Sequence, residues 1–290
     1  MALAPAQIPE DWPRVACSEM VHAVGLDWHI QRYGRGFPLL LLHGTGASSH
    51  TWAPIAPFLE EHFEVLAIDM PGQGFTQLAP QEQCSLPGMS RAVGGLLSRL
   101  NFRPEFIAGH SAGAAVAATL CLQGACNPKA IFGLNAALLP FGRAAAPVFS
   151  QAAKLLAASP VFTQIVALHA VSRKPIERML LQTGSETPEE MMRCYRRLIG
   201  NPRHVAGTLR MMSNWDLVQL EKNLGRLEPV LRLLTCDGDQ VVSPKQSEEL
   251  LRRYPQLELR YAQGLGHLGH EEDPRWFAEE LCDMALRRRP

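Results

Sequence analysis

The pattern of apolar and polar positions changes its period several times along the chain. Residues 20–33 alternate polar and apolar side chains around Gly25, which predicts an antiparallel hairpin of two edge strands. Continuous apolar runs follow at residues 38–42, 63–68 and 130–134, with a further run from Phe106 to Ser111, and helical spacing is found at 52–59, 89–100 and 112–122. Such runs are typical of strands buried on both faces, so their alternation with helices predicts a parallel sheet covered on both sides.

The alternation stops at Asn135. Residues 136–215 have the pattern of amphipathic helices and no clear strand, and they are interrupted by Pro140, Pro147, Pro160, Pro175, Pro188 and Pro202. Predicted strands resume at residues 229–235 and 257–262, and predicted helices at 244–253 and 274–286. The predicted fold class is therefore α/β, with a core of residues 1–135 and 216–290 and a helical segment, residues 136–215, inserted into it.

Composition and charge limit which binding partners and which cellular compartment the sequence suggests. The 290 residues are 47% hydrophobic and 19% charged, which is globular, and 28 basic residues balance 28 acidic ones, so the net charge does not indicate a nucleic acid partner. The seven cysteines are scattered without C-x-x-C spacing, which predicts reduced thiols. The first ten residues lack the pattern of a leader peptide and no apolar run is long enough for a membrane span. We expect a cytoplasmic protein without a transmembrane segment.

The pentapeptide Gly-His-Ser-Ala-Gly at residues 109–113 is the first candidate for chemistry. It lies between a predicted strand and a predicted helix, where a tight turn pushes the Oγ atom of Ser111 away from the backbone. The small flanking residues remove the clashes that such a turn would create. Ser111 is therefore the candidate nucleophile, although a plain Gly/Ser turn before a helix explains the same five residues.

Two later loops offer the partners that a serine nucleophile needs. Asp239 follows one predicted strand and His267 follows the next, and the carboxyl ends of parallel strands share one edge of the sheet. We assign His267 as the general base and Asp239 as its orienting acid. His270 is expected to be a surface residue, and Asp237 is expected to shape the turn. A His-x-x-His metal site is disfavoured because the glycines on both sides argue against a helix and no Cys or further His lies nearby.

The oxyanion hole requires two N–H groups. Ala112 follows the nucleophile, and the loop at residues 43–46 offers the N–H of Thr45 between two glycines. The same loop, together with Asp69, imitates a dinucleotide fingerprint, but Ser49 replaces its third glycine. A nucleotide site would also leave Ser111 and the two later loops unexplained. We therefore expect neither a cofactor nor a metal.

Five motifs in this order resemble the α/β-hydrolase superfamily along nearly the whole chain. They are His-Gly-Thr-Gly at 43–46, Asp-Met-Pro-Gly-Gln-Gly at 69–74, the pentapeptide at 109–113, Asp-x-x-Val at 239–242 and Gly-His at 266–267. The resemblance implies an eight-stranded, mostly parallel sheet, with residues 136–215 as a cap inserted after the sixth strand. It disfavours epoxide hydrolase and dehalogenase chemistry, because those relatives have an aspartate where this chain has Ser111.

A narrower resemblance is to the magnesium-chelatase accessory proteins of bacteriochlorophyll biosynthesis, a branch of the superfamily in phototrophic bacteria. It is carried by residues 42–48, 109–115, 134–138, 211–217 and 264–272. The resemblance implies a role in the tetrapyrrole pathway, with magnesium-chelatase subunits as candidate partners and a small hydrophobic substrate, for which a porphyrin ester is one candidate.

The predicted function is that of a serine hydrolase acting on an ester or related acyl bond. Two alternatives stay open: a non-catalytic porphyrin-binding accessory protein, and a C–C hydrolase or cofactor-free haloperoxidase with the same three residues. Substrate contacts are predicted for His43, Gly44, Gly46, His110, Asn135 and Trp215.

The predicted cap is locally basic. Residues 136–215 contain ten Lys and Arg residues against four Glu residues, so the remainder of the neutral chain is acidic. A basic cap over an apolar pocket suits a flat ligand that bears carboxylates. The alternative is that these arginines solvate outer helix faces.

Overall fold

One mixed sheet of eight strands organises the protein. The computed structural model describes residues 8–140 and 173–287. The strands are β1 (Ser18–Ala23), β2 (Leu26–Gly34), β3 (Phe37–Leu42), β4 (Phe63–Ile68), β5 (Phe106–His110), β6 (Ala130–Leu134), β7 (Val230–Cys236) and β8 (Glu258–Ala262). Their order is β1-β2-β4-β3-β5-β6-β7-β8, in which β1–β2 and β2–β4 pair antiparallel and every other pair is parallel. The predicted α/β class and mostly parallel sheet are confirmed.

The predicted hairpin forms from β1 and β2, but of these two strands only β1 lies at an edge of the sheet. β2 pairs with β4 on its other side, so the prediction of two edge strands was wrong for β2. The pattern of β2 fits this inner position because His29 and Gln31, polar residues of the strand, are buried together with Trp28 and Ile30. The polar residues of β2 therefore suggested that one face of the strand is exposed to solvent, whereas the fold buries them.

Helices cover both faces of the sheet. They are α1 (Ala56–Leu59), α2 (Leu86–Leu100), α3 (Ala112–Leu122), α4 (Arg173–Leu181), α5 (Glu189–Ile199), α6 (Pro202–Ser213), α7 (Val218–Asn223), α8 (Pro244–Arg253), α9 (Gly269–Glu272) and α10 (Pro274–Arg287). The helix predicted at residues 52–59 is instead a 3-10 helix, Ser49–Trp52, followed by the single turn of α1. Pro54 and Pro57 explain the interruption, because proline has no N–H to donate within a helix. Within the described ranges, no helix combines the length and the apolar character that a membrane span requires.

Four consecutive leucines in β3 show how the core is divided between the two faces. Leu40 and Leu42 pack into the cluster that includes side chains of α2 and α3, while Leu39 and Leu41 pack into the cluster that includes α1 and α10. All four leucines are fully buried. Because successive side chains of a strand point to opposite faces, a continuous apolar run is what a strand between two helical layers requires.

Helices α4, α5 and α6 belong to the predicted insertion. Met191 and Tyr195 of α5 pack with Leu268, which follows β8, and Gly207 of α6 lies against the backbone of Gly72, which follows β4. Both helices therefore lie over the carboxyl ends of strands. Residues 141–172 of the predicted insertion lie outside the described residues. The division of the chain into a core and a cap stays a prediction.

Candidate active site

Ser111 occupies a strained turn between β5 and α3. Its backbone has φ 51° and ψ −115°, a conformation that L-residues rarely adopt. The flanking glycines are required by close packing: a Cβ on Gly113 would collide with the carbonyl oxygen of Leu42, and one on Gly109 would lie 2.5 Å from the N atom of Ala114. The five residues therefore form the sharp strand-to-helix turn that the sequence indicates, and Ser111 lies at the carboxyl edge of the sheet.

The loop after β3 lies directly beside this turn. A Cβ on Gly44 would lie 2.6 Å from Nδ1 of His110 and 3.3 Å from the Cβ of Ser111, so a side chain at this position would collide with His110. Gln73 holds the loop, because its Oε1 atom accepts a hydrogen bond from the N–H of Gly46 at 2.7 Å. Thr45 is exposed, and Ala112 begins α3, where N–H groups have no acceptor within the helix. Two candidate oxyanion donors thus belong to neighbouring backbone segments next to Ser111.

His267 and Asp239 form a buried pair after β8 and β7. The Nδ1 atom of His267 lies 2.8 Å from Oδ2 of Asp239. The other oxygen of Asp239 accepts hydrogen bonds from the N–H groups of Val241 at 2.7 Å and Val242 at 2.9 Å, which fixes the carboxylate. With Nδ1 facing the carboxylate, Nε2 is the ring nitrogen of His267 that can exchange a proton with a nucleophile.

The neighbours of Ser111 connect it to the His267 loop. His110 donates a hydrogen bond from Nε2 to the carbonyl oxygen of His267 at 2.9 Å, and the two rings lie 4.7 Å apart. Asn135 donates from Nδ2 to the same carbonyl at 2.9 Å. The backbone of Ala137, two residues beyond Asn135, donates to the carbonyl of Ser111 at 3.2 Å. The structure therefore brings Ser111, His267 and Asp239 to one end of the sheet.

His270 was predicted to be a surface residue, and this prediction was wrong. Its side chain is fully buried, with Nε2 at 2.7 Å from Oγ1 of Thr51 and its ring against Trp52 and His110. Burial lowers the pKa of His270 to about 3, so the ring is neutral at physiological pH. The short helix α9 turns the side chain inward, and neither local spacing nor composition indicates that turn.

The predicted turn-shaping residue Asp237 accepts a hydrogen bond from the N–H of Gly264 at 2.7 Å.

Three of the predicted substrate contacts hold the backbone, and their contact with substrate stays a prediction. His43 is fully buried, with Nδ1 at 2.8 Å from the carbonyl of Gly44 and Nε2 accepting from the N–H of Met70 at 2.9 Å. Asn135 uses both amide atoms on backbone groups. His110 uses Nε2 in the same way, and its Nδ1 has no hydrogen-bond partner among the described residues. These side chains position the loops around Ser111, which their residue types alone do not reveal.

The other predicted substrate contacts belong to the oxyanion loop and the core. Gly44 and Gly46 lie in the loop beside Ser111, and Trp215 is partly buried against the core cluster that includes α2 and α3. Their contact with substrate stays a prediction. Among the residues that the structure describes, no group of three or more His, Cys, Asp or Glu side chains is arranged to hold a metal ion.

A buried carboxyl group near the site was missed from the sequence. Glu271 is 2% exposed, and its Oε1 atom accepts hydrogen bonds from the hydroxyls of Thr51 and Tyr195, the latter at 2.7 Å. Burial raises the pKa of Glu271 to about 7. The pair Glu271-Glu272 has the sequence pattern of a solvated helix face, so no local signal distinguishes the buried member.

Comparison with known proteins indicates the family of the chain. A family model described as alpha/beta hydrolase family matches residues 39–280. The chain is 35% identical over 270 residues to the magnesium-chelatase 30 kDa subunit of Rhodobacter capsulatus, covering 92% of this chain and 94% of that protein. It is 41% identical over 54 residues to a pimeloyl-(acyl-carrier protein) methyl ester esterase of Legionella pneumophila, covering 19% and 23% of the two chains.

A solved structure shares the fold. An α/β hydrolase fold protein from Burkholderia ambifaria superposes with a TM-score of 0.77 at 21% identity, covering 92% of this chain and 97% of that one. The family model spans most of the chain and includes strands β4 to β8, the turn at Ser111 and the two later loops, while β1 and β2 precede the matched residues. On this evidence the chain belongs to the alpha/beta hydrolase family.

Proposed function

We propose that this protein is a serine hydrolase that cleaves an ester or related acyl bond, with Ser111 as nucleophile, His267 as general base and Asp239 as the orienting acid. The observation that carries the proposal is the buried hydrogen bond of 2.8 Å between His267 Nδ1 and Asp239 Oδ2 at the same end of the sheet as the strained turn of Ser111. A histidine that is held in this way has one free nitrogen for a serine proton.

The reaction proceeds in two halves. Ser111 Oγ attacks the acyl carbon while His267 Nε2 takes the hydroxyl proton, and the N–H groups of Ala112 and Thr45 stabilise the developing oxyanion. His267 then protonates the leaving alcohol, which leaves an acyl ester on Ser111. Water attacks this ester in the second half, again giving its proton to His267, and the acid is released as Ser111 Oγ regains that proton. Asp239 keeps the proton on Nδ1 throughout and stabilises the imidazolium.

Two relatives support a proposal for the substrate class. The esterase from Legionella acts, by its name, on a methyl ester, and it shares a 54-residue stretch with this chain. The relative that matches along almost the whole chain is named as a magnesium-chelatase subunit. We propose an ester carried by a tetrapyrrole as substrate, which combines acyl chemistry with the chelatase step.

An active-site probe tests the hydrolase proposal. A fluorophosphonate reacts with activated serines, so it should label the wild-type protein and fail to label Ser111→Ala. Ser98→Ala is the matched control, because the Ser98 hydroxyl bonds to Gly94 within α2. We expect that variant to be labelled like the wild type. A wild-type protein that resists the probe would refute the proposal.

A second candidate is a non-catalytic accessory protein that binds a porphyrin for magnesium chelation. It is favoured by the 35% identity with the magnesium-chelatase 30 kDa subunit over 92% of this chain. Complementation in a phototrophic bacterium that lacks its own copy separates the two candidates. Under the hydrolase proposal Ser111→Ala fails to restore pigment and an esterified intermediate accumulates, whereas an accessory role predicts full restoration.

A further inference from the structure

We propose that residues 183–186, which connect α4 and α5 in the predicted cap, are a positioning segment for His267; this inference rests on the hydrolase function proposed above. The first observation is a shared acceptor. The carbonyl oxygen of Thr183 accepts hydrogen bonds from the N–H of His267 at 3.1 Å and from the N–H of Gln240 at 3.2 Å. One carbonyl of the predicted cap thus joins the loop of the base to the loop of the acid.

The next residues of the segment extend this contact along the His267 loop. The hydroxyl oxygen of Ser185 accepts a hydrogen bond from the N–H of Leu268 at 2.8 Å, and Ser185 is only 1% exposed. The N–H of Glu186 donates to Oε2 of Glu272 at 3.0 Å. Consecutive residues therefore bind both the base itself and the residues that follow it.

Glycines on both sides make room for this contact. Gly184 has φ +83°, and a Cβ there would collide with the carbonyl oxygen of Gly238 in the acid loop. A Cβ on Gly266, the residue before the base, would collide with the backbone of Gly184. The backbone contacts are too close for a side chain at either Gly184 or Gly266. The segment and the two loops are therefore matched through backbone contacts at Gly184 and Gly266, unlike a contact between exposed side chains.

The other side of the His267 backbone is held by the core. Asn135, at the end of β6, donates to the carbonyl oxygens of Gly266 at 3.1 Å and His267 at 2.9 Å, and its Oδ1 accepts from the N–H of Cys236 at 2.8 Å. The core thus holds the carbonyl of the base, and the predicted cap holds its N–H. Displacing residues 183–186 would leave the base fixed on one side only, and a misplacement of 1 Å costs about 100-fold in rate.

Two variants test the role of the segment. Ser185→Ala removes the acceptor of the Leu268 N–H. Gly184→Ala displaces the segment, because its Cβ collides with the carbonyl oxygen of Gly238. For hydrolysis of a p-nitrophenyl ester we expect kcat to fall about 10-fold and about 100-fold, respectively, with KM changed less than about threefold. The low-field proton NMR resonance of His267 Nδ1–H, which reports the bond to Asp239, should weaken in both. Ser185→Thr keeps the oxygen and should restore both values.

The controls separate positioning from folding and from catalysis. Ser213→Ala removes a buried hydroxyl elsewhere in the predicted cap, bonded to Arg210 at 2.9 Å, and should change neither kcat nor the resonance. If the circular dichroism spectrum shows that Gly184→Ala is unfolded, Ser185→Ala alone tests the inference. Unchanged kcat and an unchanged resonance in Ser185→Ala would overturn the inference. If the wild type shows no hydrolysis, the proposed function fails, and the resonance still decides whether the segment positions His267.

Discussion

Asp237 and Asp239 are two residues apart after β7, but their carboxylates hold different groups. Asp239 faces Nδ1 of His267, whereas Asp237 accepts from the backbone of Gly264. Asp239→Asn replaces an acceptor of the imidazole proton by an amide that favours the wrong tautomer. We expect kcat to fall about 10³- to 10⁴-fold in ester hydrolysis without loss of fold. Asp237→Asn is the control and should stay within a few-fold, so the reverse ranking would identify Asp237 as the acid.

Glu271 makes the stability of the protein depend on pH. Burial raises its pKa from 4.5 to about 7, so between these values the folded protein holds a proton that the unfolded chain releases. The free energy of unfolding therefore falls as pH rises through this window, by about 3 kcal/mol. Glu271→Gln keeps an oxygen that accepts hydrogen bonds from Tyr195 and Thr51, but its amide does not titrate. The variant should therefore lose this pH dependence of the free energy of unfolding.

Urea unfolding at pH 5 and pH 8 measures the effect. The wild type should be less stable relative to Glu271→Gln at pH 8 than at pH 5, by about 2.5 kcal/mol. Glu279→Gln, which changes an exposed carboxylate of α10, is the control and should keep the wild-type dependence. A constant difference between wild type and Glu271→Gln at both pH values would contradict the prediction.

At the residue scale, the sequence identifies candidate catalytic side chains where they lie next to small residues in short motifs. Ser111, His267 and Asp239 follow strands and are flanked by glycine or tight turns, so the local pattern marks them as candidates, and their catalytic roles stay a prediction. His270 and Glu271 differ, because their burial is caused by Thr51, Trp52 and the helix α5, which are distant in sequence. Single-sequence patterns carry no information on such contacts, and both residues were therefore assigned to the wrong environment or missed.

At the element scale, local signals fixed most of the strands and helices. α3 and α8 have the predicted bounds because each begins at a clear turn and contains no internal breaker, and β4 and β6 match their apolar runs. The helix predicted at residues 52–59 is divided by two prolines, Pro54 and Pro57, which helical spacing alone does not reveal. The inner position of β2 depends on its pairing with β4, which is a long-range property.

Packing of α6 onto the core is tested at Gly207. A Cβ there would collide with the carbonyl oxygen of Gly72, in the loop after β4. Overpacking costs about 1–3 kcal/mol, and the higher helix propensity of alanine returns up to about 1 kcal/mol. We therefore expect Gly207→Ala to lower the free energy of unfolding by about 1–2 kcal/mol in urea titrations.

The control for this prediction is the glycine at the end of α5. Gly200 has φ −68°, and the nearest atom to a Cβ there is the carbonyl oxygen of Arg196 at 3.1 Å, within the same helix. Gly200→Ala should therefore leave the stability unchanged or raise it slightly. Equal effects of the two substitutions would show that α6 does not require close backbone contact with the core.

At the scale of the whole molecule, the basic residues of α5 face outward. Arg197 binds the carboxylate of Asp11 with both guanidinium Nη atoms, at 2.6 and 2.7 Å. Arg196 binds Glu189 at 2.8 Å, and Arg193 is exposed. Two of the three arginines are thus engaged with acidic residues of the protein. This pairing favours the interpretation that they solvate an outer helix face over the interpretation that they bind ligand carboxylates.

The combined variant Arg193→Gln, Arg196→Gln and Arg197→Gln separates these interpretations. If these arginines only solvate α5, a porphyrin titrated by fluorescence should bind the variant and the wild type equally. Binding that depends on the apolar surface should also change little between low salt and 0.5 M salt, because salt weakens only the interactions of exposed charges. The Debye length is about 10 Å near 0.1 M salt and is shorter at higher salt. Arg99→Gln, on α2, is the control for a loss of positive charge outside the predicted cap. A loss of affinity in the triple variant, reproduced by salt in the wild type, would instead make α5 the carboxylate-binding face.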